Sequence, residues 1–411
     1  MLRGGLKVLL ILSVILTLLV VLGADPATLK LQSTTAADAA TFPDYVAVIT
    51  SSPATVGDSV TQLVNGRQMV PAMLDAIGHA RDRVNFFTYI FESGGAADLF
   101  RNAFVGAARR GVHVTIVVDA FGASNMPDGY KRSLADAGCV VRQFRPFRWY
   151  SIQEASYRNH RKLLVIDGGT AFIGGAGIAD HWLGDAQDPD HWRDTQFRID
   201  GPSVPYLEAA FYEALAETSA TVTPEVLAPG SPAAGPGATR TVVVTSSPGG
   251  AAAIKRLFLL SIAAARRSIE ITSPYFIADD SSEWALAEAR RRNVAIRILV
   301  EGEQTDAMPV KWASRSEYQR MLEQGIDLYE YQPTMMHAKT MVVDGIWSVI
   351  GSANFDNRSL DMNDELCVGI QDRTLARPLL QTLEQDLGRA HRITLGEWRR
   401  RPMHHRINEQ G

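Results

Sequence analysis

Two kinds of hydrophobic pattern divide the chain. From Val8 to Ala24 the residues are almost continuously apolar, broken only by Ser13 and Thr17, with Arg3 and Lys7 before the run and Asp25 closing it. A basic start followed by an apolar stretch reads as an export signal, intermediate between a cleaved leader and a span of about 20 residues. Leu22-Gly23-Ala24 lacks a small residue at its first position, which favours an uncleaved anchor over residues 1–24, with cleavage and secretion as the alternative. Positive charge on the amino side puts the N-terminus in the cytoplasm and the body of the protein across the membrane. Residues 25–59 follow as a tether, with the Thr- and Ala-rich stretch Gln32 to Thr41 its flexible part.

Beyond the tether the pattern becomes an alternation of strands and helices, and it occurs twice. Val84 to Phe91 is a strand signal, Leu99, Ala103, Phe104 and Ala107 recur at helical spacing, and Val112 to Asp119 is a second strand. Ile269 to Phe276, the Ala- and Arg-rich Trp284 to Arg292, and Val294 to Glu301 repeat that order. Each passage continues with a short helix, Tyr130 to Leu134 or Tyr318 to Leu322, then a Gly and another strand. A repeat well over a hundred residues long is a duplicated domain and no solenoid unit. The expected organisation is a first domain over 60–217, a linker rich in Pro, Ala, Gly and Thr over 218–240, a second domain over 241–395 and a basic tail over 396–411. The fold class is α/β, with a mixed or mostly parallel sheet in each half and the halves packed about a pseudo-two-fold axis.

Composition narrows the function classes. With 46% hydrophobic and 21% charged residues the 411-residue chain can bury one large core or two linked ones. A formal net charge of −4 supplies no broad field for polyanions, which disfavours a nucleic-acid binder. Cys139 and Cys367 make no disulfide framework and read as small buried side chains. No C-x-x-C or H-E-x-x-H spacing occurs, so no metal site and no cofactor is expected.

The chemistry lies in a signature used twice. The first copy is His160-Arg161-Lys162 with Asp167 five residues past the lysine, followed by Gly174-Gly175; the second is His337-Ala338-Lys339 with Asp344, followed by Gly351-Ser352-Ala353-Asn354. Residues two apart on an extended strand project from one face, so each histidine points with its lysine, and an apolar run then fixes the strand in the core. One such triplet arises by chance in on the order of a few per cent of chains this long and two in on the order of a thousandth, and the matching flanks lower that further.

These residues resemble the phospholipase D superfamily, whose members carry H-x-K-x4-D twice and join both copies in one site. Within it the chain is similar to bacterial cardiolipin synthases, on Trp192-Arg193-Asp194-Thr195, Ser273-Pro274-Tyr275-Phe276, Tyr329 to Pro333 and Gly351 to Leu360, with Asn363-Asp364-Glu365. The resemblance implies two tandem α/β/α sandwiches and transfer of a phosphodiester through a phosphohistidine. It further implies a bacterial membrane location, phosphatidylglycerol as substrate with phosphatidylethanolamine as a further donor candidate, and no nucleic acid. Imidazole suits such a reaction, because it is a nucleophile near neutral pH while Lys162 and Lys339 neutralise the phosphate. By resemblance His160 is the nucleophile and His337 the acid and base, Asp167 and Asp344 orient and balance charge, Ser352 and Asn354 donate to phosphate, and Glu365 orients His160.

One departure stands out. Seventeen residues after each motif histidine the second copy has Asn354 and the first has Gly177, so the donor on the first side must come from elsewhere, with Arg193 or Asp194 as candidates. A surface Arg193–Asp194 pair is the plainer alternative. His181 and His191 read as loop surface. The tail Trp398-Arg399-Arg400-Arg401, with His404 and His405, suits an anionic lipid surface and equally a solvated terminus. A hydrolytic phospholipase D, an exported nuclease of the same superfamily and a tethered binding protein are the competing functions. The sequence leaves the oligomeric state open.

Overall fold

The computed structural model describes residues 28–146, 157–218, 220–222, 239–250 and 252–401. The chain divides into two units between Lys30 and Leu31, and both sheets and the site lie in the second. The apolar run 8–24 is outside the described residues, and among those described no helix is long and apolar enough to cross a membrane. Most of the expected linker, 223–238, is also outside them.

The strands are β1 (Ala54–Val56), β2 (Ser59–Val64), β3 (Arg83–Thr88), β4 (His113–Asp119), β5 (Val140–Phe144), β6 (Leu163–Ile166), β7 (Thr170–Gly174), β8 (Thr195–Asp200), β9 (Arg240–Ser246), β10 (Ser268–Thr272), β11 (Ala295–Glu301), β12 (Asp327–Tyr331), β13 (Thr340–Val343), β14 (Trp347–Gly351), β15 (Glu365–Gln371) and β16 (Ala390–Ile393). One mixed sheet runs β2-β8-β7-β6-β3-β4-β5; the other runs β1-β9-β15-β14-β13-β10-β11-β12-β16. The same strand order recurs, with β1 and β16 added at the edges of the second sheet. In each, three parallel strands (β3, β4, β5 or β10, β11, β12) meet the antiparallel strand that follows a motif histidine, β6 or β13.

The central strands are buried on both faces, which explains their continuous apolar runs and lack of alternation. Strand β10 stops at Thr272 because Pro274 has no N–H to pair, and β3 stops where Thr88 Oγ1 donates to the Ile90 carbonyl, 2.9 Å away. The helices are α1 (Phe42–Thr50), α2 (Asn65–His79), α3 (Gly95–Arg109), α4 (Asp128–Asp136), α5 (Val204–Glu217), α6 (Ala253–Ala264), α7 (Asp280–Arg291), α8 (Met308–Ser316), α9 (Tyr318–Glu323), α10 (Arg373–Leu387) and α11 (Leu395–Arg400). Helices α2 and α3 cover the outer face of the first sheet. A single core takes Phe87, Val165 and Ile173 from the first sheet, Val342, Ile350 and Val368 from the second, and residues of α5 and α10. Both motif strands therefore share one apolar interior.

Two expectations need correction. Part of the segment expected as tether is built into the fold: α1 lays Phe42 and Val46 into the core, Phe42 meets Trp347 edge-on at 4.9 Å, and β1 pairs with β9. Apolar residues at i and i+4 supply the burial that the surrounding Thr and Ala obscure. Trp398, considered for a lipid surface, is buried, with Arg401 over its ring at 4.0 Å and Tyr318 against it at 5.0 Å. A capping box between Thr394 and Glu397 starts its helix. His404 and His405 are outside the described residues.

Candidate active site

Each motif histidine sits on the extended residues entering its strand, and the other half holds it in place. The His160 N–H donates to the Asp364 carbonyl at 2.8 Å and the Asp364 N–H to the Arg158 carbonyl at 2.9 Å. The His337 N–H donates to the Arg193 carbonyl at 2.7 Å and the Arg193 N–H to the Met335 carbonyl at 2.9 Å. These exchanges form short parallel bridges, Asn159 to Asp364 and Met336 to Arg193. Each places the next carboxylate of one half beside the histidine of the other.

The side chains then pair across the same boundary. His160 Nδ1 lies 2.9 Å from Glu365 Oε1, and His337 Nδ1 lies 2.7 Å from Asp194 Oδ2. Burial pushes the two carboxyls up, but the facing imidazole and the nearby lysines overcome it and hold both below their ordinary range. An ionised carboxylate accepts from Nδ1–H, which leaves Nε2 of each ring as the nitrogen with a free lone pair. Burial also lowers the histidines, His337 to about 4, where Lys339 adds to the effect. Both imidazoles are thus neutral near pH 7.

Lys162 Nζ donates to the His160 carbonyl at 2.7 Å, and Lys339 Nζ donates to the His337 carbonyl. Burial holds Lys162 well below the usual lysine range and Lys339 at about 8, with Asp194 opposing that fall. Each lysine is thus buried and turned onto the carbonyl of its own motif histidine.

His160, Lys162 and His337 line one cavity of about 440 Å³, together with Tyr89, Trp182, Tyr275, Asp306, Asn354 and Asp356. Sequence reasoning missed Trp182, Tyr89 and Asp306, none of which belongs to a motif. Asp356 falls within the Gly351 to Leu360 stretch; burial first, and Glu365 second among the raising influences, push its carboxyl up to about 6.

Not every expected residue is in the cavity wall. Asp167 accepts the backbone N–H groups of Arg81, Asp82 and Arg83 at 2.9 to 3.0 Å, and Asp344 accepts those of Arg266, Arg267 and Ser268 at 2.7 to 2.9 Å. Both sit past the far ends of β6 and β13 at φ of +51° and +54°, where they anchor the turns that begin β3 and β10. Orientation of the histidines therefore falls to Glu365 and Asp194 and not to these aspartates. Ser352 donates to Glu365 Oε2 and takes the Leu366 N–H, so it steadies the carboxylate and does not line the cavity. Arg193 is buried and ion-paired with Asp386 at 2.8 Å, so neither a phosphate wall nor a surface pair with Asp194 describes it. It fastens the first half to α10.

The first side of the cavity is closed by Trp182. A Cβ on Gly177 would meet Trp182 Cζ3 and the Ile90 carbonyl at 3.0 Å, and the Trp182 Nε1–H donates to Asp194 Oδ2 at 2.9 Å. His181 is half-buried against the rings of Trp182 and Trp192, with centroids 4.2 and 3.7 Å away, so it is packed and not free loop surface. His191 pairs with Asp188 at 2.6 Å and is half-exposed, as expected. Cys139 and Cys367 are buried and free.

Comparison with known proteins points the same way. The model of the family described as cardiolipin synthase, PLD-like domain, matches residues 73–186 and 259–387. The major cardiolipin synthase of Bacillus subtilis is 33% identical over 86% of this chain and 74% of its own length. Cardiolipin synthase A of Pseudomonas putida is 32% identical over 83% and 71%. The crystal structure of phosphatidylserine synthase from Haemophilus influenzae superposes with a TM-score of 0.68 over 85% of this chain and 92% of that one, at 14% identity, and shares the fold.

Proposed function

Because the chain belongs to the cardiolipin synthase, phospholipase D-like family, whose activity is phosphatidyl transfer forming cardiolipin, we propose that it does so by two displacements at phosphorus. The observation that carries this reading is the pair of crossed contacts, His160 to Glu365 and His337 to Asp194, in one cavity.

In the first step His160 Nε2 attacks the phosphorus of phosphatidylglycerol. The P–O bond to the head-group glycerol breaks, and the oxygen leaves as glycerol with a proton from His337. In the second, the free hydroxyl of another phosphatidylglycerol gives its proton to His337 and attacks the phosphohistidine, which releases cardiolipin and restores neutral His160. The P–N bond retains the energy of the diester, so neither nucleotide nor metal enters the balance. Glu365 and Asp194 stabilise whichever imidazole carries extra charge, in the manner of a carboxylate behind a catalytic histidine. Lys162 and Lys339 neutralise the non-bridging oxygens. His337 is mostly unprotonated in the empty site, and the arriving phosphodiester anion raises its affinity for the proton it must deliver.

The two halves are here taken as pseudo-two-fold copies, a reading supported by the shared strand order and the crossed backbone bridges. The apolar run 8–24 supports an anchor that holds the catalytic body on the extracytoplasmic side of a bacterial membrane. The test is incubation of the purified protein with phosphatidylglycerol vesicles, with and without phosphatidylethanolamine, and mass spectrometry of the lipids. Cardiolipin with equimolar glycerol supports transfer; phosphatidic acid as the sole product establishes hydrolysis instead.

A further inference from the structure

The carboxylates behind the two histidines are held by different groups. In the second half Ser352, fifteen residues after His337, donates its hydroxyl to Glu365. The matching position of the first half is Gly175, also fifteen residues after its histidine, and the two occupy matching places beside the β7–β8 and β14–β15 pairings. No serine fits there: a Cβ on Gly175 would lie 2.5 Å from Asp194 Oδ1 and 2.8 Å from the His337 carbonyl. The Thr195 N–H donates to Asp194 Oδ1 at 2.7 Å, and the side-chain donor in place of a serine is the Trp182 indole N–H, 2.9 Å from Oδ2, the same oxygen that His337 Nδ1 contacts.

The Trp182 ring also fills the space beside Gly177 and meets the His337 imidazole edge-on, with centroids 5.5 Å apart. It is 2% exposed and lines the cavity. One side chain thus covers two positions at which the second half uses Ser352 and Asn354.

We propose that Trp182 is the positioning residue of the first half: its N–H holds Asp194 against His337, Gly177 leaves room for its ring, and Gly175 leaves room for the carboxylate it holds. This deepens the transferase reading and rests on it only for the identity of the reaction. Removing the N–H leaves Asp194 with one donor fewer, so the carboxylate becomes more basic and holds an imidazolium more strongly. His160 faces Glu365 and the two lysines and has no part in that contact.

The test uses the purified full chain. Trp182→Phe keeps a ring in place and removes only the donor, and Ser352→Ala does the same for the other half. Histidine titration followed by NMR is expected to move His337 upward in Trp182→Phe with His160 unmoved, and the reverse in Ser352→Ala. The turnover of Trp182→Phe should fall roughly 10- to 100-fold, the range for loss of a group that orients a functional histidine, with KM little changed. As a second readout that does not depend on the stability of that variant, the Trp182 indole N–H resonance should shift in Asp194→Asn and stay in place in Glu365→Gln. Equal movement of both histidines, or an indole resonance indifferent to Asp194, overturns the assignment. Shifts as predicted in a protein that makes no cardiolipin leave Trp182 in its role and refute the transferase reading alone.

Discussion

His160 and Glu365 are 205 residues apart in the chain and 2.9 Å apart in space, and neither belongs to the half that completes its function. His337 and Asp194 repeat the relationship in the opposite sense, 143 residues apart and 2.7 Å in space. Both pairs are formed by residues distant in sequence, so neither exists until the chain from Arg158 to Glu365 has folded.

Glu365→Gln and Asp194→Asn should therefore each impair turnover while leaving the protein folded. Loss of the charged partner of a catalytic histidine costs on the order of 10²- to 10⁴-fold in rate. Steady-state kinetics with phosphatidylglycerol should place the loss in kcat, with thermal unfolding near that of the parent. An effect confined to KM would contradict the orienting role.

The aspartates of the two motifs should behave differently. Asp167→Ala and Asp344→Ala free three backbone N–H groups each, which costs about 1–3 kcal/mol, more at the buried Asp344. Denaturant titration should show that loss while kcat of the folded fraction stays within about tenfold. A far larger loss of kcat at unchanged stability would return them to the catalytic set.

Arg193 should prove a fastener between the halves. Its guanidinium is buried with Asp386, so Arg193→Met strands a buried carboxylate and should cost roughly 3–5 kcal/mol. The double variant Arg193→Met, Asp386→Leu removes both charges and should recover most of that stability by the same unfolding measurement.

Alkaline pH should switch the enzyme off through Lys339. Its ammonium titrates at about 8, chiefly through burial, so it is cationic below that pH and neutral above it. The charge facing the phosphate is lost as pH rises, and kcat/KM for phosphatidylglycerol should decline above pH 8. Lys339→Arg, which cannot lose its proton in that range, should lower activity through its different shape but abolish the alkaline limb. A limb that persists in Lys339→Arg assigns it to another group.

What the sequence makes legible is what repeats locally. His160 and Lys162, or His337 and Lys339, are two residues apart, so backbone alternation alone sets them on one face, and the apolar runs after them identify buried strands. Glu365 is legible only through resemblance, because no local spacing links it to His160. Trp182 is not legible at all: its contact with Asp194 and the space beside Gly177 that its ring fills exist only in the folded chain. The roles first given to Arg193, Asp167 and Ser352 erred for a related reason. Proximity to a motif in sequence does not say which end of a strand a side chain occupies or which half it faces.

A covalent phosphate on His160 is the most direct test of the account. Protein mixed with phosphatidylglycerol and quenched in alkali, where a P–N bond survives, is digested and mapped by mass spectrometry. The account predicts a phosphatidyl adduct on His160 of the parent protein, absent from His160→Ala. Cardiolipin formation by His160→Ala at the parent rate, with no adduct on either histidine, would contradict it.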